Sequence, residues 1–164
     1  MKKITLLFLA SILVLFVVAQ TNEEKPVYLR FPTVPKFAIY KAPDSTVFTR
    51  EDLKKNRPVM FMIFSPDCDH CQNETRQMLD NIEKFKNTQI VMVTYLPYEE
   101  MIAFYKNYDI ARYPQITMAR DTKFFFPVFF KVENLPSIFI YDKKQKLRKA
   151  FDGDVSIDSL TSAL

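Results

Sequence analysis

The sequence predicts an α/β fold built on a right-handed parallel β-α-β unit, with a β-hairpin added in front. Three observations carry that reading. Short, continuously apolar runs rich in β-branched and aromatic residues occur at Val59–Phe64, Gln89–Tyr95 and Ser137–Tyr141, as strands buried on both faces require. Segments with apolar residues at helical spacing lie between and after them: Met78, Leu79, Ile82 and Phe85, then Met101, Ile102, Phe104, Tyr105 and Tyr108. Strand, helix and strand in that order form a parallel crossover, which is right-handed in nearly all proteins.

The elements follow in order. Phe37–Tyr40 and Thr46–Phe48 pair across the turn signal Ala42-Pro43-Asp44-Ser45. Thr49 is an N-cap candidate for a short helix over Thr49–Leu53, with Glu51 and Asp52 in its first turn. Val59–Phe64 is expected to be the central strand. A helix over Cys71–Phe85, the strand Gln89–Tyr95 and a helix over Glu99–Tyr108 come next. Ser137–Tyr141 and Leu147–Phe151 pair across Asp142–Gln145, and Ser156–Ala163 closes the chain as a helix with Ser156 as N-cap. The core order is β-α-β-α-β-β-α. A short strand at Gln115–Met118 and a short helix at Thr122–Phe130 are read between its second helix and third strand.

Residues 1–19 read as a signal peptide. Lys2 and Lys3 form a positive start, Ile4–Val18 is apolar, and Val17-Val18-Ala19 suits cleavage after Ala19. An uncleaved membrane anchor is the alternative, although the run is short for a span of ~20 residues. Residues 20–34 read as an extended lead-in and 35–164 as one domain. Losing the two lysines lowers the formal charge of +4 to about +2, too weak a balance to imply nucleic acid. The cluster Lys143, Lys144, Lys146, Arg148 and Lys149 fits a solvated hairpin turn. Export places the protein in an oxidising compartment, the bacterial periplasm or cell envelope, where disulfides persist.

Chemistry concentrates at Cys68-Asp69-His70-Cys71, which holds both cysteines of the chain. The pair lies where a buried strand gives way to a helix, and unpaired N–H groups at a helix start favour a thiolate. A structural staple is a poor alternative, because a bridge over two residues closes almost no loop. Zinc is a poor alternative too. Cys68, His70 and Cys71 offer three ligands, and the chain has no third cysteine or second histidine to complete a tetrahedral site. No metal or separate cofactor is expected beyond a redox-active Cys68–Cys71 disulfide.

These features together resemble the thioredoxin superfamily, in its exported TlpA-like and ResA-like branch of thiol–disulfide oxidoreductases. The likeness spans roughly Pro35 to the C-terminus. It rests on the strand–Cys-x-x-Cys–helix unit at Val59–Phe85, on Val132–Ile140, which matches the cis-proline segment, and on the leading hairpin within Pro35–Arg57. The resemblance implies a thioredoxin-like three-layer α/β/α sandwich and an enzyme exchanging disulfides with cysteine-containing exported proteins, fed by a membrane thiol reductase.

The dithiol cycle then assigns roles. Cys68, nearer the helix start, is expected to attack, and Cys71, one turn in, to resolve the mixed disulfide. Asp69 and His70 tune the potential. A protonated His70 favours the Cys68 thiolate, whereas Asp67 and Asp69 oppose it. Pro136 is expected in cis facing the dithiol, against the alternative of an ordinary trans proline at a strand start. Leu135 and Pro66 are the expected substrate contacts. Glu74 matches the branch's glutamate near the dithiol and is the candidate for carrying the Cys71 proton; otherwise it is an exposed helix glutamate. Met62 stands where thioredoxins bury an aspartate.

Departures from the family leave poise and substrate open. Ser65-Pro66-Asp67 replaces the usual tryptophan, the chain has no Trp, and Gly153 is its only glycine. The branch favours reduction, while His70 pulls toward oxidation or isomerisation. Peroxidase activity ranks lower: Ser65 sits three before Cys68 as the peroxiredoxin hydroxyl does, but Phe61 occupies the proline position and no peroxidatic arginine is assignable. A non-catalytic binding or metal-handling module of the same fold is the remaining class. The run Phe124–Phe130 reads mostly as core, with an exposed part available for docking.

Overall fold

A computed structural model describes residues 25–164. The segment read as a signal peptide and the first residues of the lead-in lie outside that range. Seven strands form one sheet: β1 Ala38–Lys41, β2 Val47–Thr49, β3 Val59–Ile63, β4 Gln89–Thr94, β5 Ile116–Arg120, β6 Ser137–Tyr141 and β7 Leu147–Asp152. Their spatial order is β2-β1-β5-β4-β3-β6-β7. β3 runs parallel to β4, and β4 to β5, while β6 lies antiparallel to β3. All five residues of β3 are buried, as its continuous apolar run requires.

Among the described residues, five α-helices cover the sheet: α1 Val27–Arg30, α2 Asp69–Asp80, α3 Tyr98–Asn107, α4 Phe125–Phe130 and α5 Ile157–Ser162. Alternation along each strand splits the core into two layers. Met60, Met62 and Phe64 face α2, α3 and α5 with Met78, Met101, Phe104 and Leu160. Val59, Phe61 and Ile63 face the other way, with Phe126 and Phe130 of α4. Phe61 is the hub of that second layer. Its ring lies 5.4–6.2 Å from those of Phe37, Phe126, Phe130 and Tyr141.

Four local departures from the sequence reading have identifiable causes. β5 is a full strand that joins the hairpin to the core, because its two edges pair with β4 and β1. The helix expected over Cys71–Phe85 ends at Asp80 and resumes as a 3-10 turn over Ile82–Phe85. Asn81 breaks it: its side-chain amide donates to the Gln77 carbonyl at 2.9 Å, competing with the helix backbone. The helix read from Thr122 starts at Phe125, since Phe124 is left-handed at φ 54° and the buried Asp121 carboxylate accepts the Phe126 N–H at 2.7 Å. Within the lead-in, Val27–Arg30 is helical. Tyr28 anchors it by packing on Phe139 at 5.2 Å and Phe130 at 6.0 Å.

Candidate active site

The C-terminal end of β3 delivers the chain into Phe64 and Ser65, then a turn, then the first residue of α2. Cys68 is the N-cap of α2. Its sulfur takes the place usually held by a serine or aspartate oxygen and accepts the Cys71 N–H at 3.2 Å. That N–H and the helix N-terminus stabilise negative charge on the sulfur. Cys68 is partly exposed and Cys71 fully buried, and both are free thiols. Burial pushes the Cys71 thiol well above its ordinary range, and its hydrogen bond with Cys68 adds to the rise.

The Leu135–Pro136 peptide bond is cis, as the family segment implied. The Leu135 carbonyl lies 3.8 Å from the Cys68 sulfur, and Pro136 is buried behind it. On the other side of Cys68, the Pro66 carbonyl is already engaged, accepting the Gln72 side-chain amide at 2.9 Å. The ring of Pro66 borders a groove of about 610 Å³ that continues past Gln72 and Arg76 to Phe104 and Tyr108.

Glu74 is buried, 1 % exposed, which removes the exposed-helix reading. It stands three residues after Cys71, on the same face of α2. One oxygen, Oε2, accepts the Val155 N–H at 3.1 Å, while Oε1 has no hydrogen-bond partner. Burial raises the carboxyl above the ordinary glutamate range. The Val155 N–H pulls it back in part, and the charge of Asp154 adds to the rise.

His70 and Asp69 are exposed at the first turn of α2. The ring Nδ1 of His70 lies 2.7 Å from the Asp154 carboxylate. Asp67 accepts the Ser65 hydroxyl, which turns that hydroxyl to a carboxylate beside it. Among the arginines, Arg76 donates to the Tyr108 hydroxyl at 3.2 Å and Arg120 to the Leu96 carbonyl at 2.8 Å.

One segment of the site escaped the sequence reading. Asp152-Gly153-Asp154-Val155, running from the last residue of β7 toward α5, touches His70, Glu74 and the segment around Pro136. Asp152 accepts from the Asn134 backbone at 3.2 Å, the Asn134 side chain at 2.8 Å and the Ser137 hydroxyl at 3.3 Å. Gly153 donates its N–H to the Pro136 carbonyl at 2.9 Å. Asp154 holds His70 and Val155 holds Glu74. The available signal was the chain's only glycine set between two aspartates. Gly153 adopts φ +86°, a conformation that other residues rarely hold.

The model of the AhpC/TSA family matches residues 33–150. The chain belongs to the AhpC/TSA family. It has the thioredoxin-like fold and carries the Cys68-x-x-Cys71 pair. Among solved structures it is similar to dsbF of Mycobacterium tuberculosis, with 24 % identity, TM-score 0.67, and 80 % of this chain and 96 % of that one covered. A DsbE thiol:disulfide interchange protein of Chlorobium tepidum aligns at 23 % identity and TM-score 0.65, covering 80 % and 92 %. The peroxidoxin BcpB of M. tuberculosis aligns at 16 % identity and TM-score 0.67, covering 80 % and 92 %. Identities this low establish the shared fold. No curated protein matches the chain.

Proposed function

We propose that the protein is an exported reductase of protein disulfides. The asymmetry of the dithiol supports the exchange chemistry: Cys68 is reachable and capped by an N–H at 3.2 Å, while Cys71 is buried with its thiol pushed up. The reducing direction rests on the resemblance to the TlpA-like branch. The Cys68 thiolate attacks one sulfur of a substrate disulfide. The substrate's S–S bond breaks, a Cys68–substrate disulfide forms, and the other substrate sulfur leaves as thiolate. Cys71 then loses its proton and attacks the Cys68 sulfur. The second substrate sulfur leaves, and the enzyme is left as the Cys68–Cys71 disulfide.

Each neighbour has a part. Glu74, buried and on the Cys71 face of α2, takes the proton from Cys71 before resolution. Leu135 and the cis Pro136 form the wall against which the substrate backbone lies. Pro66 offers its ring rather than its carbonyl on the far side. His70 and Asp69 tune the potential, with Asp154 fixing the ring of His70. The oxidised enzyme is reset by a membrane thiol reductase. Export rests on the N-terminal segment, and one similar structure is a secreted disulfide oxidoreductase of M. tuberculosis.

Equilibration with glutathione tests the direction. A reduction potential well below that of the glutathione couple supports the reductase, and one well above it makes the protein an oxidase or isomerase. The family match and the peroxidoxin likeness give peroxide reduction a specific claim as a second reading. The Ser65 hydroxyl, spent on Asp67, counts against it. Peroxide consumption with a dithiol reductant decides between them.

A further inference from the structure

On the sheet face opposite α2, α3 and α5, the domain is apolar and open. α4 and the chain around α1 and β1 meet at a groove of about 640 Å³ lined by Val27, Phe124, Phe125, Val128, Lys36 and Lys123. Val128 is 68 % exposed and Phe124 49 %. Leu29 and Phe31, in α1 and just after it, are exposed too. Isolated exposed apolar residues need no explanation, but a cluster of large ones does. The described residues lining this groove include two lysines and no carboxylate. Arg30 ends α1, and its guanidinium lies 5.8 Å over the Phe31 ring.

Its position adds two facts. Phe124 packs on Tyr95 at 4.8 Å, and Tyr95 directly follows β4. The groove therefore begins at the end of the sheet that also carries Cys68. Val27, on its rim, is nine residues after the apolar run Ile4–Val18. Nine residues span at most ~30 Å, so where the run is retained as an uncleaved anchor it keeps this face close to the membrane.

We propose that this face docks on an anionic lipid surface. Phe124, Val128 and Val27 enter the acyl–headgroup boundary, and Lys36 and Lys123 pair with lipid phosphates at its rim. A carboxylate-free rim of cations suits phosphate headgroups. An added peptide strand cannot join at β1, which is paired on both sides. Docked in this way, the end of the sheet bearing the dithiol stands beside the bilayer. The inference is independent of the direction of electron flow.

The chain contains no tryptophan, so Val128→Trp reports its own surroundings. The full chain is placed in phosphatidylcholine–phosphatidylglycerol vesicles with and without brominated acyl chains. Emission from Val128→Trp is expected to be quenched by bromine, and emission from Ser162→Trp, on α5 across the sheet, to be spared. The comparison holds whether or not the N-terminal run is itself inserted. Adding Lys36→Gln and Lys123→Gln is expected to lower the docking equilibrium about 30-fold. Quenching of Val128→Trp no greater than that of Ser162→Trp overturns the proposal. So does a blue shift of Val128→Trp without lipid together with a doubled mass in sedimentation, which would give the face to a second copy.

Discussion

Val155 donates its backbone N–H to Glu74 Oε2 at 3.1 Å, joining two residues 81 positions apart. It supplies half of what a buried carboxylate needs, since Oε1 has no partner. Glu74 is therefore a poor carboxylate for stability and a good one for moving a proton.

Glu74→Gln separates those two effects. The carboxyl is raised in the folded protein, so the native state binds the proton more tightly than the unfolded chain does. Native stability is therefore lost as pH rises from the ordinary glutamate range through the raised value. Above that value the penalty is complete. Glu74→Gln is expected to be more stable than the parent by about 1–3 kcal/mol at pH 8, with the gain vanishing in acid. Urea titrations at both pH values measure it. The same variant is expected to release substrate from the mixed disulfide on the order of 100-fold more slowly.

Alkylation distinguishes the two thiols. Burial holds Cys71 as a neutral thiol through the neutral range, and only thiolates react with iodoacetamide at useful rates. Brief treatment of the reduced protein at pH 7 is expected to label Cys68 alone, as read by peptide mass spectrometry. Cys68→Ser is expected to stay nearly unlabelled.

Asp152→Ala removes the acceptor shared by Asn134 and Ser137. The expected cost is about 1 kcal/mol, since Asn134 is exposed and the Ser137 hydroxyl keeps the Asn134 carbonyl at 2.7 Å. The loop before Pro136 loses its tether, so KM for a protein disulfide is expected to rise more than kcat falls. Steady-state kinetics at a temperature well below the lowered Tm check this.

Phe61→Ala tests the aromatic layer. Phe61 is fully buried among four rings, and such truncations cost about 3–5 kcal/mol. Phe124→Ala, at the exposed start of the run Phe124–Phe130, is expected to cost under about 1 kcal/mol. Similar losses at both positions would contradict the burial described.

Local patterns made much of this legible. The apolar runs of β3, β4 and β6 mark strands, and a Cys-x-x-Cys pair at a strand end marks the candidate catalytic turn. The exposed Cys68, the buried Cys71 and the cis Pro136 all follow from that motif and its family segment. What stayed hidden depends on long-range pairing. β5 is legible as a short strand at Gln115–Met118, but its place inside the sheet is not, because its pairing with β1 and β4 is set by the fold. Asp154 and Val155 look like loop residues until the end of β7 brings them to His70 and Glu74. The Asn81 break turned on one side-chain amide, which apolar spacing does not register.

The central claim is that Cys68 attacks and Cys71 resolves. Capture with Cys71→Ser tests it most directly. Incubated with disulfide-bonded proteins of the cell envelope, that variant is expected to accumulate mixed disulfides on Cys68, reversible by dithiothreitol and readable by mass spectrometry. Capture by Cys68→Ser, with none by Cys71→Ser, would contradict the account.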